Sequence, residues 1–498
     1  MTAIGAHLPI LVVLVPLIGA LLAALCRRGW QGLSIAAIAC AADVLFGIWM
    51  LQEVRATGQP LSYVMGGWAA PWGIEYRVDV LNAFIVVFVS AIGAVAMSFA
   101  GPSVTSEIDE DRQAWFYSMF LLCLAGLLGI AVTGDAFNIF VFLEISSLAT
   151  YVLIAMGRDR RALLAAYQYL IVGTIGATFY VIGIGLLYLA TGTLNLADMA
   201  SRLGPVVAED VRPVMAALAF VTVGISLKLA LFPLHSWLPN AYAYAPSVAT
   251  AFLAGTATKV AIYLLLRFFF AVFDPSLDFV SLPVDDILII ASVAAMFLAS
   301  FSAVFETNAK RMLAYSSVGQ VGYITLGIAL ANQDALTGAI VHLFNHAIMK
   351  TALFLALGAI FYRIGSVRIA DLAGIGKKMP LTFAAFVIAG LGIIGVPGTA
   401  GFISKWYLAI GALESGNWLL VFLIVVSSAI AVAYIGRVIE AAWLREPSEL
   451  AAKATEAPAA MLVPIWILAI ATVYFGIDTR ASADIAAEAA RMLLRVVQ

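Results

Sequence analysis

Residues 225–235, ISLKLALFPLH, place a lysine at position 228 and a proline five residues later inside an apolar run. A full charge at the centre of a bilayer costs at least ~3 kcal/mol, and a proline inside a helix costs about as much again. Unwound backbone survives at membrane depth only where protein or a water-filled cavity satisfies its polar groups. The stretch therefore predicts a helix that is broken near mid-membrane, where water reaches Lys228.

The composition of the whole chain is that of an integral membrane protein. Of the 498 residues, 63% are hydrophobic and 11% are charged, whereas soluble domains carry about 25% charged residues. Such a chain cannot present a water-compatible surface. Its net charge of −2 is close to neutral and indicates no nucleic-acid partner.

About fourteen apolar runs are long enough to cross a membrane as helices, which predicts an all-α polytopic fold. Each crossing needs roughly 20 apolar residues. The predicted spans lie near 8–26, 33–51, 80–100, 114–133, 137–156, 165–190, 211–232, 246–272, 285–305, 313–331, 335–362, 381–411, 418–441 and 459–477. No basic segment precedes the first run and further spans follow at once, so it is predicted to be a helix rather than a cleaved signal.

The charges of the connecting loops alternate from one side of the membrane to the other. The basic loops carry Arg27, Arg28, Arg158, Arg160, Arg161, Lys310, Arg311, Arg363, Arg368, Lys377 and Lys378. The opposite loops carry Asp198, Glu209, Asp210, Asp274, Asp278, Asp285 and Asp286. The positive-inside rule then places the basic loops in the cytoplasm and both termini on the outer, periplasmic face of the inner (plasma) membrane.

The tail from about Ala481 to Gln498 is amphipathic. Its apolar stripe consists of Ile485, Ala489, Met492, Leu493 and Val496. We expect this stripe to lie along the outer membrane interface or on a partner subunit.

The cysteines predict no redox centre. Cys26, Cys40 and Cys123 all lie within apolar runs and form no C-x-x-C pair, which is typical of small packing residues. We therefore expect no iron–sulfur centre and no other cofactor. The sequence also indicates no catalytic residues and leaves any metal site unknown.

A minority of the ionisable groups fall inside predicted spans. They are Glu144, Lys228, Lys259, His342, His346, Lys350 and Lys405. Intramembrane ionisable residues are functional candidates because they must face a partner or water.

The second histidine of this set lies midway between two other basic groups. His342, His346 and Lys350 are each four residues apart, so they share one face of a helix. Three basic groups on one buried face are costly to charge all at once, which predicts groups that exchange protons near neutral pH. Glu144 also needs a cation nearby. Lys228 is a physical candidate, although the sequence leaves the partner open.

Helix breakers lie beside two of these lysines. Pro233 and Pro239 follow Lys228, and the segment Gly395–Gly401 precedes Lys405. Broken helices in corresponding positions of two halves point to ion sites and often accompany inverted repeats. The residues predicted to break the helices and to have a gating role are Pro233, His235, Pro239, Pro397 and Gly398.

Three motifs resemble the antiporter-like membrane subunits that complex I (NADH:quinone oxidoreductase) shares with Mrp-type multisubunit cation/proton antiporters. They are GDAFNIFVFLEISS at 134–147, LFPLHSWLPNA at 231–241 and HLFNHAIMK at 342–350. The resemblance implies fourteen helices and two inverted five-helix repeats, each with a broken helix. The repeats would be 114–272 (helices 4–8) and 285–441 (helices 9–13), with 1–113 before them and the last span and tail, 459–498, after them.

The resemblance also implies a role for each intramembrane group. Glu144 and Lys228 would gate proton loading, and Lys259 and the eleventh-helix residues His342, His346 and Lys350 would pass the proton toward Lys405. This line of groups, joined by water, would run across the plane of the membrane.

The first functional prediction is a component of a proton-driven exporter of Na⁺ or another monovalent cation. Lys405 argues against the complex I subunit that has glutamate at that place, and Thr191–Asp198 looks most like the D subunit of Mrp antiporters. Such a chain works only in a hetero-oligomer and is not itself an enzyme. The alternatives are a non-redox, proton-pumping subunit of complex I or a membrane hydrogenase, and a mainly structural subunit. The neighbouring reading frames would distinguish the antiporter component from the subunit of a redox complex.

Overall fold

The computed structural model describes residues 5–273 and 283–495, so the predicted loop residues Asp274 and Asp278 lie outside it. Its α-helices are α1 (Leu8–Ala24), α2 (Gly29–Thr57), α3 (Val80–Glu107), α4 (Glu110–Val132), α5 (Ala136–Ala155), α6 (Arg161–Thr191), α7 (Leu196–Glu209), α8 (Val211–Leu229), α9 (Leu238–Tyr244), α10 (Ser247–Gly255), α11 (Ala257–Leu266), α12 (Val284–Ala294), α13 (Ser300–Phe305), α14 (Ala309–Leu330), α15 (Gln333–Ile364), α16 (Ile375–Lys378), α17 (Pro380–Ile394), α18 (Ala400–Glu414), α19 (Trp418–Leu444), α20 (Glu449–Ala452), α21 (Ala459–Ile477) and α22 (Ile485–Leu494). The remaining helical turns are the 3₁₀ turns Gly5–His7 and Met65–Gly67 and the π-helical turns Arg267–Val272, Ala295–Ala299 and Arg480–Asp484.

The membrane part is all-helical, as predicted. Within the described residues, 13 helices are long and apolar enough to cross a membrane. The fourteenth predicted span is the pair α17 and α18, each 15 residues long, which a break separates. The fold class is therefore confirmed, with one small addition outside the membrane helices. Strands β1 (Leu61–Val64) and β2 (Glu75–Val78) pair antiparallel in the polar stretch after α2.

The loops of the two membrane sides gather at opposite ends of the helix bundle. Arg158, Lys310 and Arg368 line one pocket, at what we name the basic end. Glu75 of β2 and Leu493 of α22 line another, at what we name the acidic end. The grouping of the basic loops agrees with the charge pattern of the sequence. Which end faces the cytoplasm stays a prediction.

The first break separates α8 from α9. The helix stops because Ala230 takes a left-handed conformation (φ 60°), and α9 begins only at Leu238. Trp237 donates its indole N–H to the freed carbonyl of Leu227 (3.0 Å), so protein satisfies part of the open backbone. Pro233 lies exposed inside the break. Pro239 lies in the first turn of α9, where a missing N–H costs nothing.

The second break separates α17 from α18. Gly395 and Gly398 take positive φ values of 88° and 86°, which glycine adopts without strain, and Pro397 between them is exposed. α8 starts from the acidic end and α17 from the basic end, so the two broken helices run in opposite directions. An inverted repeat would have this arrangement, although the division into repeats at 114–272 and 285–441 stays a prediction.

The amphipathic tail forms α22 and packs on the chain itself. Ile485, Ala489 and Leu493 of its apolar stripe are buried against α3 and α15, whereas Met492 is 38% exposed. Gln333, at the start of α15, donates to the Ala487 carbonyl (3.1 Å). The prediction that this stripe lies on the membrane interface or on a partner is therefore wrong for these three residues. It stays a prediction for the exposed Met492, and Val496 lies outside the described residues. The stripe instead fills a groove that helix packing leaves at the acidic end.

We expect Gly401→Ala to prevent stable packing of the second broken helix. A Cβ at Gly401 would overlap the carbonyl oxygen of Gly392, which is backbone and has no free room to move. Overpacking of this kind costs about 1–3 kcal/mol or more. Thermal unfolding of the purified complex would show a lower Tm. Gly436→Ala in α19 is the matched control, because open space surrounds that position. Equal melting of the two variants would contradict the prediction.

Candidate functional site

The predicted pair Glu144 and Lys228 is present at the end of α8. Lys228 Nζ lies 3.7 Å from Glu144 Oε1 and donates to Ser147 Oγ (2.8 Å). Lys228 is buried, whereas the Glu144 side chain is 26% exposed. Oε1 of Glu144 has no hydrogen-bond partner among the described residues. The two charges therefore attract each other without a hydrogen bond that locks them together.

A small cavity with both polar and apolar walls lies beside Lys228 and reaches α11. It is lined by Ser146, Ser147, Thr150 and Lys228, and by Ala257 of α11 on its far side. Hydroxyl groups on the wall of such a cavity give water the partners it needs. The cavity therefore extends the file of polar groups from α8 to α11.

Lys259 lies fully buried in the first turn of α11. The helix is interrupted at Thr256, which frees the carbonyl of Ala254, and Lys259 Nζ donates to that carbonyl. A second, longer contact joins Nζ to Thr258 Oγ1 (3.4 Å). No carboxylate pairs with Lys259 within the described residues. The ammonium form is held by neutral groups alone.

His346 is fully buried, and neither of its ring nitrogens has a hydrogen-bond partner among the described residues. Its ring stacks on that of His342, with centroids 5.9 Å apart. The charge of Lys259 acts on both histidines. Buried polar nitrogens normally find a protein or water partner, so we expect water between Lys259 and His346.

His342 has a partner on each ring nitrogen. Nδ1 lies 2.6 Å from Ser404 Oγ and Nε2 lies 2.9 Å from Gln320 Oε1. Ser404 can also donate its hydroxyl to the Gly401 carbonyl (3.2 Å). The neutral ring donates from Nε2 and accepts from Ser404 at Nδ1. The protonated ring donates from both nitrogens while Ser404 turns to Gly401. The same contacts thus serve both protonation states.

Lys405 caps the second break. Its Nζ donates to the carbonyls of Ile393 (2.9 Å) and Ile394 (3.0 Å) and to Ser428 Oγ (2.9 Å). It also lies 4.6 Å from the centre of the Tyr323 ring. The Tyr323 ring lies 5.8 Å from that of His342. Tyr323 and Ser404 therefore join the histidines to Lys405.

We name six of the seven predicted groups the file: Glu144, Lys228, Lys259, His346, His342 and Lys405. Direct contacts join Glu144 to Lys228 and His346 to His342, but no hydrogen bond or ion pair joins Lys259 to either pair among the described residues. Lys350 forms a branch beside the file. Lys350 Nζ donates to the Leu313 carbonyl (2.9 Å) and to Ser316 Oγ (2.7 Å), away from His342. Of the predicted gating residues, His235 lies in the first break beside two aromatic rings, with centroids 5.2 Å from Phe232 and 6.2 Å from Tyr315. Its gating role, and the proton-transfer role of the file, stay predictions.

Sequence reasoning missed seven polar side-chain partners of these groups. They are Ser147, Thr258, Ser316, Gln320, Tyr323, Ser404 and Ser428. Some had a signal in the sequence, because Ser147 follows Glu144 by three residues and Ser404 precedes Lys405. It also passed over Asp43 on α2, which is buried with both carboxylate oxygens unpartnered within the described residues. An acidic residue inside an apolar run is itself a signal.

The arrangement suits proton exchange between side chains and water. Within residues 5–273 and 283–495, no group of three or more His, Cys, Asp or Glu could hold a metal ion. The file spans both halves of the chain at the depth of the two helix breaks.

Comparison with known proteins gives one family. A family model described as NADH:quinone oxidoreductase/Mrp antiporter, TM, matches residues 133–431. The chain is 45% identical to the N subunit of the NADH-quinone oxidoreductase of Desulforudis audaxviator, over 95% of this chain and 96% of the relative. It is 31% identical to the D subunit of the Na(+)/H(+) antiporter of Alkalihalophilus pseudofirmus, over 83% and 82% of the two chains.

Two solved structures share the fold over nearly the whole chain. One is a chain of the membrane-bound sulfane sulfur reductase, an archaeal respiratory membrane complex, with a TM-score of 0.89, 29% identity and 98% of both chains covered. The other is a chain of the Mrp complex from Dietzia sp. DQ12-45-1b, with a TM-score of 0.89, 27% identity and 99% of this chain and 98% of that chain covered. Both are subunits of multisubunit membrane complexes.

These identities do not support the preference for the antiporter D subunit that Thr191–Asp198 suggested. Identity to the oxidoreductase N subunit is higher and extends over more of the chain. An eight-residue loop carries less information than several hundred aligned positions.

Proposed function

Because this chain belongs to the NADH:quinone oxidoreductase/Mrp antiporter family, we propose that it is a proton-translocating membrane subunit of a redox-driven complex. The observation that favours this over the antiporter is the 45% identity to an NADH-quinone oxidoreductase subunit over 95% of the chain. The chain would itself hold no redox centre. Its partners would be the other subunits of the complex, which supply the driving reaction.

The proposed mechanism uses the file of buried groups as a proton path. Glu144 holds the ammonium form of Lys228, and separation of the pair releases a proton into the cavity beside Ser147. The path continues in the order Lys259, His346, His342 and Lys405. Water completes it between Lys259 and His346. Each group can hold a proton and pass it on. Lys259, His342 and Lys405 have neutral partners, and Lys228 meets Glu144 without a hydrogen bond. His346 has no hydrogen-bond partner among the described residues.

The positive-inside rule supports the orientation of the proposed path. The basic end would face the cytoplasm and the acidic end the outside. The first described turn of the chain lies at the acidic end, where the His7 ring contacts Tyr63 of β1 (5.6 Å). Leu493 of α22 lies at the same end. Both ends of the described chain would therefore face outward.

A component of a Na⁺/H⁺ antiporter is the second candidate. It is favoured by the 31% identity to an antiporter D subunit and by the TM-score of 0.89 with a chain of an Mrp complex. Its proton path would use the same residues. The two candidates differ in what drives the proton, which only the assembled complex can reveal.

The test is proton transport by the intact complex in vesicles, for wild type and Lys228→Ala. Under the proposal, electron transfer to quinone drives proton transport that does not depend on a Na⁺ gradient. Lys228→Ala is expected to lower this transport by at least about 100-fold, since a proton-transfer group commonly contributes 10²–10⁴-fold. The subunits that co-purify are expected to include flavin or iron–sulfur proteins.

Two results would overturn the proposal. Transport that requires a Na⁺ gradient, in a complex without redox subunits, would establish the antiporter. Equal transport by wild type and Lys228→Ala, with both assembled, would establish a mainly structural subunit.

A further inference from the structure

A polar pocket opens at the acidic end beside α11. Asp79, Asn82, Tyr263 and Arg267 line it, together with residues around Asn195. Asn82 and Tyr263 are almost fully buried, so they form its floor. The proposed proton file does not use this pocket.

The helix α11 connects the floor of the pocket to the centre of the file. Lys259, Tyr263 and Arg267 are four residues apart and therefore follow one face of the helical path. Four residues of helix rise about 6 Å. The pocket thus reaches to within about one helical turn of Lys259.

The floor of the pocket is a hydrogen-bonded set that ends at the Tyr263 hydroxyl. Tyr263 donates to the Ala131 carbonyl (3.1 Å) and accepts from Asn82 Nδ2 (2.8 Å). Asn82 Nδ2 also donates to Ala131 (2.6 Å). Asn82 would keep this partner if the Tyr263 hydroxyl turned away, so the hydroxyl is free to turn without leaving Asn82 unpaired.

Arg267 and Asp79 form an ion pair at the rim above this floor. The two Nη groups of Arg267 donate to Asp79 (2.7 and 3.1 Å), and Nη2 also donates to Asn82 Oδ1 (2.7 Å). Asp79 in turn caps the start of α3. Arginine stays protonated, so Arg267 carries no proton onward.

Lys259 points away from the pocket, toward the Ala254 carbonyl in the basic half of the span. The lysine stem has four rotatable carbons, and the neutral partners of Nζ offer no counter-charge that would hold it there. The step proposed next requires the stem to turn toward the acidic end, so that Nζ meets the Tyr263 hydroxyl.

We propose that this pocket is a second proton port. It connects Lys259 directly to the water on the membrane side at the acidic end of the helix bundle. The inference rests on the proposed proton path and adds a branch to it. In the step, the ammonium of Lys259 gives one proton to the Tyr263 oxygen while the Tyr263 hydroxyl gives its own proton to a pocket water. Tyr263 is unchanged afterwards, and one proton has moved from lysine to water.

The test is Tyr263→Phe in the intact complex, with Tyr180→Phe as the matched control. Tyr180 is equally buried and also donates to a backbone carbonyl, Ala136 (3.0 Å). It lines a small hollow beside Lys228 but donates its hydroxyl to no group of the file, and it is not part of the pocket. We expect Tyr263→Phe to lower proton transport about tenfold, at the low end of a proton-transfer contribution. Tyr180→Phe is expected to transport within about twofold of wild type, and both variants should have similar Tm values.

A second experiment, the thiol arm of the test, measures access to the pocket and leaves its hydrogen bonds unchanged. Ala200 lines the pocket and is partly exposed, so Ala200→Cys in a Cys26→Ser background presents a thiol there; Cys40 and Cys123 are buried. A cationic, membrane-impermeant thiol reagent is expected to inhibit transport from one membrane face only. The Cys26→Ser parent should not respond.

The outcomes separate the port from the proposed function. If Lys228→Ala abolishes transport while Tyr263→Phe transports normally, the port is wrong and the function stands. If Lys228→Ala also transports normally, the function itself is wrong. If Tyr263→Phe fails to fold, the thiol arm decides, and absence of one-sided inhibition overturns the port.

Discussion

Lys259→Met is expected to lower proton transport by the assembled complex at least about 100-fold, while the chain remains as stable as wild type or becomes more stable. Lys259 is the group on which the path from Lys228, the histidines and the proposed port all converge. Among the described residues, its Nζ donates to the Ala254 carbonyl and Thr258. A buried ammonium costs several kcal/mol of desolvation, and a methionine of similar length fills the space without that cost.

Transport in vesicles and thermal unfolding of the complex would measure the two effects. Lys378→Met, at an exposed position of α16, is the control and should change neither. A Lys259→Met complex that transports at the wild-type rate would show that the path bypasses α11. A large fall in Tm would show that the lysine is needed for folding.

Glu144→Gln is expected to reduce proton uptake about 10- to 100-fold and to leave assembly intact. The glutamine keeps the shape of the side chain but removes the counter-charge 3.7 Å from Lys228 Nζ. Lys228 keeps its hydrogen bond to Ser147, so the fold loses little. Stopped-flow uptake with a pH-sensitive dye, together with gel filtration of the complex, would measure both effects.

The double variant Glu144→Gln with Lys228→Ala provides a sharper test of the pair. Groups that act as one unit give non-additive losses, so the double variant should be no slower than Lys228→Ala alone. Glu440→Gln, where Glu440 forms an exposed pair with Arg445 (2.8 Å) near the end of α19, is the charge control. Multiplicative losses in the double variant would mean that the two residues act separately.

The membrane class, the span count and the two helix breaks could be predicted from the sequence alone. Each depends on local properties, namely the length of an apolar run or the presence of Pro and Gly beside a buried lysine. The intramembrane charges were visible for the same reason. A charge is rare enough at membrane depth that one sequence suffices to single out Glu144, Lys228 and Lys259.

The partners of these groups depended on helix packing. Ser404 and Gln320 bind the two nitrogens of His342 across three helices, and serine and glutamine are too common to stand out before the helices meet. The tail was misread because an apolar stripe shows only that a helix face is buried. Whether lipid, a partner or the chain itself covers it depends on the tertiary structure.

The sequence by itself determined that titratable groups lie inside broken membrane helices. Only the tertiary structure decided which of them form one file, that Lys405 caps the second break, and that Tyr263 and Arg267 extend α11 to a pocket. The physical reason is that the nearest ten to twenty residues determine whether a charge is buried, since hydropathy and helix length are local. The partner of that charge is set by contacts between residues that lie far apart along the chain.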